Sequence, residues 1–160
     1  MKLDADLQAR LQFLCRVVEK ESRYLLETDA RLFAEAMSPA ALQRIAEDPL
    51  LAERLDAFVS RFGRLQDTLG DKFLPALLEA MAERRGVAIE NLDRAEKLGW
   101  LDSTDVWLDI RKLRNQMVHE YIEDLTILSS ALNTGHQFVP VLIDTANRLA
   151  HQARQRLNAG

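Results

Sequence analysis

One stretch decides the fold class: residues 48–81 read DPLLAERLDAFVSRFGRLQDTLGDKFLPALLEAM. Its apolar residues recur at intervals of three, four and seven, which is the spacing of one face of an α-helix. They are Leu51, Leu55, Phe58, Val59, Phe62, Leu65, Leu69, Phe73, Leu77 and Met81. Asp48 and Pro49 open the pattern as a helix cap and a first-turn proline. The stretch therefore predicts a long amphipathic helix, with a kink around Gly70 to Lys72 because Gly70 and Pro75 interrupt it.

Helical patterns also lie on both sides of this stretch. An apolar stripe runs from Leu3 to Leu25, and the last one runs from Leu125 to about Leu157. Gly86, preceded by two arginines, is expected to end the long helix. A short helix is expected from about Glu90 to Leu98, and Asp102 or Ser103 is expected to cap the next one. We therefore predict an all-α fold, a single-domain antiparallel helical bundle of four to five main helices over residues 1–160.

The composition limits the classes of function. The chain has 160 residues, 48% of them hydrophobic and 29% charged, with only six glycines and four prolines, which suits one helical domain with a full core. The net charge of −4 argues against a general nucleic-acid coat protein but allows a small cationic site. The single cysteine, Cys15, cannot form an internal disulfide, and no apolar run has the length of a signal peptide or membrane span. We expect a cytoplasmic protein without a membrane partner.

Most signatures of catalytic sites are missing. No Cys or His cluster has zinc spacing, no glycine-rich loop follows a strand, and no Gly-x-Ser-x-Gly elbow occurs. We therefore expect no metal site and no cofactor. His136 and His151 lie in contexts typical of surface histidines. Gln66 falls on the apolar face of the long helix, which favours a core amide over a residue that lines a site.

The exception is residues 111–121, which read RKLRNQMVHEY. Arg114 stands at the centre of this stretch, and a helix places it beside mostly apolar or aromatic residues. These neighbours are Trp107, Ile110, Arg111, Met117, Val118 and Tyr121. A guanidinium stays charged and is costly to bury alone, so it needs an anion, a carboxylate partner or a water-filled groove.

A second polar strip lies on the same helix, because Arg111, Asn115 and His119 follow one another at a spacing of four. Cation, amide, imidazole and phenol are thus concentrated within two turns, as in a functional site. A salt-bridged interface arginine with a capping histidine fits the same residues. On residue chemistry alone the two interpretations are equally supported.

The order of residues 114–121, Arg-x4-His-x-Tyr with asparagine directly after the arginine, resembles the signature of HEPN-domain proteins, in particular the HepT-type ribonuclease toxins. These are small, all-helical cytoplasmic proteins paired with a minimal nucleotidyltransferase antitoxin. The resemblance covers the motif helix, the long helix before it and the helix after it. The run from Ile122 to Leu125 departs from the isoleucine-aspartate pair that many of these toxins carry, which leaves the subfamily and the identity of the antitoxin open.

The resemblance implies a HEPN-like homodimer that cleaves RNA without a metal in a groove shared by two motif helices. Arg114 and His119 would be catalytic, the arginine stabilising phosphorane charge and the imidazole transferring protons. Asn115 and Arg111 would bind the substrate, and the product would be a 2′,3′-cyclic phosphate. Tyr121 matches the position to which the cognate antitoxin attaches adenylate, which would block the groove.

Two other classes of function remain open. One is a non-catalytic nucleotide- or substrate-binding subunit of a nucleotidyltransferase that uses the same groove to hold a phosphate. The other is a helical interaction module in which Arg114 pairs with a carboxylate across an interface and His119 points away from any cleft.

Overall fold

A computed structural model of the chain describes residues 3–119 and 124–159, and this part is helical throughout apart from turns and caps. The helices are α1 (Ala5–Leu32), α2 (Pro39–Leu42), α3 (Pro49–Asp67), α4 (Leu74–Ala80), α5 (Ala88–Lys97), α6 (Thr104–His119) and α7 (Leu125–Ala159). Within these residues no strand is formed, so the prediction of an all-α fold is confirmed. The HEPN-like arrangement and the dimer remain predictions.

Side-chain caps start the helices where the sequence predicts them. The Asp48 carboxylate accepts the Leu51 N–H at 3.1 Å, and the Ser38 hydroxyl accepts the Ala41 N–H at the same distance. Both are followed by a first-turn proline, whose missing N–H has no partner to lose. Ser103, rather than Asp102, accepts the Val106 N–H at 3.2 Å in the first turn of α6.

The long apolar pattern is continuous but changes its helical form. Between α3 and α4 lies a π-helical segment, Thr68–Phe73, where the kink is predicted. The prediction that Gly86 ends this helix is wrong, because α4 ends at Ala80 and Ala82 already has a φ of 55°. A single left-handed residue there turns the chain away from the helix axis before the arginines are reached.

One apolar core holds the helices together. Phe58, Phe62 and Phe73 are fully buried at its centre, and side chains of this size contribute most to hydrophobic burial. The first helix packs on α3 and α7, while α6 lies against the same two helices. The motif helix is therefore held on two sides, and its remaining surface faces α3 and solvent.

The final helix is a single rod. Asp124 accepts the Thr126 N–H at 2.9 Å and so caps its start. It then continues through Gly135 and Pro140 without a break, although the sequence allows a bend or a split there. Among residues 3–119 and 124–159, none of the helices combines the length and the apolar character that crossing a membrane requires.

Candidate functional site

A cleft of about 740 Å³ lies between α3 and the end of α6. Its lining residues are Asp56, Val59, Ser60, Gly63, Arg64, Asp67, Thr68, Lys72, Arg114, Met117, Val118 and His119. A volume of this size is typical of small-ligand pockets. The cleft brings together Arg114 and His119, the two residues that the sequence singles out as catalytic.

Arg114 reaches across α3 at a glycine. A β-carbon built on Gly63 would lie only 2.8 Å from Arg114 Nε, so a larger residue there would collide with the arginine. Beyond the glycine, Arg114 Nη2 donates to Asp67 Oδ2 at 2.9 Å, and the arginine side chain remains one-third exposed. The guanidinium thus has both a carboxylate partner within its own chain and an open cleft.

Only one of the five N–H donors of Arg114 is used by the ion pair with Asp67. A part-exposed pair of this kind contributes about 0.2–1 kcal/mol to stability. That energy is small compared with the gain from a charge-assisted, bidentate contact with a phosphate. The ion pair therefore holds the arginine in position without preventing it from binding an anion.

His119 is the last residue of α6, and its exposed side chain lines the cleft beside Val118. Position at a helix end leaves the imidazole free of backbone crowding and open to solvent on the cleft side. Tyr121, the predicted site of modification, lies outside the described residues.

The two residues predicted to bind substrate do not line the cleft. Arg111 Nη2 contacts Asp71 Oδ1 at 3.3 Å, on the outer surface next to the π-helical segment. Asn115 is exposed and makes no side-chain hydrogen bond within the part of the chain that the structure describes. The structure therefore groups Arg114 with His119 and leaves Arg111 and Asn115 outside the cavity.

Two cations in the cleft were not identified from the sequence. Arg64 contacts only the Ser60 hydroxyl, at 3.4 Å, and Lys72 has no carboxylate within ion-pair distance among the described residues. With Arg114 they outnumber the two acids of the lining, Asp56 and Asp67. A polar strip at spacings of four, three and four along α3 was the available signal. An anionic ligand is favoured.

A carboxylic acid lies behind the cleft wall. The Thr68 hydroxyl donates to Glu21 Oε1 at 2.8 Å. Burial raises the pKa of Glu21 above its ordinary value, while the Thr68 hydrogen bond and the charges of Arg64 and Lys72 act in the opposite direction. Glu21 does not line the cavity, so we regard it as part of the support of the α1–α3 contact.

Other candidate residues have structural environments. Gln66 is buried and its Nε2 donates to the Trp107 carbonyl at 3.5 Å, so the core-amide interpretation fits its position. Cys15 is buried, and burial raises the pKa of its thiol, which makes it a poor nucleophile. Across the described residues, no three His, Cys, Asp or Glu side chains come together as metal ligands.

Comparisons with protein-family models, with curated proteins and with solved structures found no match to this chain. The family resemblance therefore depends on the motif of residues 114–121 and its helical setting, and the site has to be interpreted from its own geometry.

Proposed function

We propose that the protein is a metal-independent endoribonuclease that cleaves RNA in the α3–α6 cleft. The observation that carries this proposal is the grouping of Arg114 and His119 in one cavity with Arg64 and Lys72. A phosphodiester is the anion whose cleavage uses both a guanidinium and an imidazole. The resemblance to HepT-type toxins supports the same chemistry at the same two residues.

In the proposed reaction His119 removes the proton of a ribose 2′-hydroxyl. The 2′-oxygen then attacks the adjacent phosphorus, the bond from phosphorus to the 5′-oxygen breaks, and a 2′,3′-cyclic phosphate forms. The departing 5′-oxygen takes a proton from an acid. Arg114 binds the non-bridging oxygens through the donors that Asp67 leaves free, and it stabilises the charge that develops on them. Arg64 and Lys72 attract the flanking phosphates.

The reaction needs an acid as well as a base, and the described lining of the cleft in one chain contains a single histidine. A homodimer in which two α6 helices meet would bring the His119 of a second protomer to the same groove. We propose that the active form is this dimer. Arg111 and Asn115, which lie on the exposed part of α6, would then face the shared groove rather than the cavity of one chain.

We further propose that the nuclease is a toxin that a cognate minimal nucleotidyltransferase silences by adenylylating Tyr121. Tyr121 follows His119 by two residues in the sequence, so an adenylate there would add bulk and negative charge close to the cleft. Mass spectrometry of the protein co-expressed with such a partner checks this step. An unmodified Tyr121 peptide from a pair in which toxicity is suppressed would contradict it.

The test of the nuclease itself is digestion of single-stranded RNA in the presence of EDTA. Loss of a general acid or base reduces the rate about 10²- to 10⁴-fold, and loss of one charge-stabilising group about 10²- to 10³-fold. We therefore expect His119→Ala and Arg114→Ala to lose cleavage, and His151→Ala, a histidine on α7 outside the cleft, to retain it. Equal activity in all the proteins would refute the site, and activity that EDTA abolishes would refute metal independence.

One observation favours a second function, a non-catalytic nucleotide-binding subunit of a nucleotidyltransferase. Arg114 is already paired with Asp67 in its own chain, and a partly neutralised guanidinium is sufficient to hold a phosphate but is a weaker stabiliser of a transition state. Binding of a nucleotide that depends on Arg114, together with intact RNA after long incubation, would establish this alternative.

A further inference from the structure

A second groove of about 330 Å³ lies between α1 and the first half of α3, and three arginines line it. Arg31, Arg54 and Arg61 face one acid there, Glu53. We call this surface the arginine groove. Its charge is opposite in sign to the net charge of −4 of the whole chain, so the groove is a local feature and not a consequence of overall composition.

The cations of the arginine groove are not neutralised within the described chain. Arg31 and Arg54 have no carboxylate within ion-pair distance there. Arginines on other faces are mostly paired, as Arg114 is with Asp67 and Arg148 is with Asp102. Unpaired guanidinium groups that share one groove create a positive potential that attracts an anion.

Arg61 is held in place by neutral groups. Its Nη1 donates to the Tyr24 carbonyl at 3.1 Å and also to the Thr28 hydroxyl. The guanidinium groups of Arg61 and Arg23 lie 5.4 and 5.2 Å from the centre of the Tyr24 ring. These contacts fix the position of the charge but do not cancel it, which is the arrangement that a preorganised anion site needs.

The arginine groove adjoins the candidate cleft through the surface of α3. Arg61 lines the groove, while Ser60 and Arg64, within one turn of it, line the cleft. From Arg54 to Arg64 the helix rises about 15 Å. Guanidinium groups therefore continue along α3 from the groove to the place where Arg114 and His119 lie.

We propose that the arginine groove binds the phosphate backbone of single-stranded RNA and directs the strand into the cleft. This inference depends on the proposed function for its choice of RNA as the ligand. A cleft of about 740 Å³ has the size of a small-ligand site, so it admits one strand and not a duplex. The flanking nucleotides must then lie on the surface outside, and the cationic track along α3 is where their phosphates are attracted.

The experiment measures binding of a fluorescent 2′-O-methyl oligouridylate of about 12 nucleotides to the full chain by anisotropy at several salt concentrations. The 2′-O-methyl group removes the nucleophile, so the probe is not cut during the measurement. Arg31→Gln and Arg54→Gln remove exposed side chains that have no ion pair to lose. Arg84→Gln removes the same charge from an exposed position outside the groove and serves as the matched control.

Each phosphate contact that is lost from a single strand lowers the slope of log K against log salt by about 0.7. We expect each single variant to show this change, the double variant to show about 1.4, and Arg84→Gln to bind as the unchanged protein does. An unchanged slope in the double variant would overturn the inference, and so would an equal loss in Arg84→Gln.

Failure of this inference is distinguishable from failure of the nuclease. If the unchanged protein cleaves RNA but the double variant keeps its salt dependence, only the arginine groove is refuted. If no RNA is cleaved but the double variant loses salt dependence, the groove is supported as a binding surface and the nuclease is refuted. Cleavage of a dinucleoside monophosphate, which is too short to reach the groove, should be the same in the double variant as in the unchanged protein.

Discussion

Gly63→Ala is the substitution that most directly tests the geometry of the candidate cleft. The new β-carbon would lie 2.8 Å from Arg114 Nε, and the next-nearest atoms, at 3.5 Å, also belong to Arg114. Ordinary contact between such atoms begins at about 3.5 Å, so Nε has to move by roughly 1 Å. The arginine is the flexible partner, and we expect its guanidinium to leave its contact with Asp67.

The change in stability is the sum of two opposing effects. Replacing a glycine inside a helix by alanine stabilises the protein by about 0.5–1 kcal/mol. Loss of the part-exposed ion pair between Arg114 and Asp67 costs about 0.2–1 kcal/mol. The free energy of unfolding should therefore change little in the otherwise unchanged protein. In an Arg114→Ala background there is no arginine to displace, and Gly63→Ala should stabilise by the full helical gain.

The assay is urea denaturation of the four proteins of this double-mutant cycle, followed by circular dichroism, with RNA cleavage measured in parallel. A displacement of a catalytic group by about 1 Å can reduce the rate about 10²-fold. We expect Gly63→Ala to lose cleavage while its stability stays close to that of the unchanged protein. An equal gain in stability in both backgrounds, with full cleavage, would show that Arg114 does not lie against Gly63.

Three further predictions follow from individual contacts. Asp67→Asn removes the acid that shares Arg114, so calorimetry should show inorganic phosphate binding up to about fivefold more tightly. Glu21→Gln should raise the melting temperature at pH 7 but not at pH 4. The pKa of the buried Glu21 carboxyl is raised above its ordinary value of 4.5, so its ionisation costs stability as the pH rises from that value through the raised pKa. Cys15 should react with Ellman's reagent at pH 8 at least about tenfold faster in urea than in the folded protein, because burial raises the pKa of its thiol.

Each of these predictions has a contrary outcome. Weaker phosphate binding by Asp67→Asn would show that the carboxylate positions the arginine more than it competes with the ligand. For Glu21→Gln, an equal shift in melting temperature at both pH values would exclude ionisation as the cause, since the amide oxygen that replaces the carboxylate can still accept the Thr68 hydrogen bond. Rapid labelling of folded Cys15 would mean that α1 opens locally on the time scale of the reaction.

The sequence predicts the helices well because their signals are local. The apolar spacing of residues 48–81 and the caps at Ser38 and Asp48 depend only on neighbours within a few positions, and the structure has helices at both places. The end of α4 was misplaced because Gly86 was the obvious terminator, whereas Ala82 carries the left-handed turn. Alanine gives no local signal for that conformation.

The site was only half visible in the sequence. Arg114 and His119 lie within one helix, so their spacing could be interpreted directly. Asp67 is 47 residues from Arg114, and its contact depends on how α3 packs against α6. Gly63 is recognisable only once the arginine is seen to cross it. Contacts between helices depend on packing and not on periodicity, so Arg64 and Lys72 were missed for the same reason.

The widened turn at Thr68–Phe73 also bears on which length changes the protein can tolerate. Removing one residue from an ordinary α-helix rotates everything beyond it by about 100° and takes the apolar side chains out of the core. A π-turn holds one residue more than an α-turn, so a deletion at Gly70 can be absorbed by regular winding while Phe58 and Leu77 keep their facing. Natural or engineered variants that are shorter by one residue should therefore survive here, and a deletion two turns earlier, in the middle of α3, should unfold the protein.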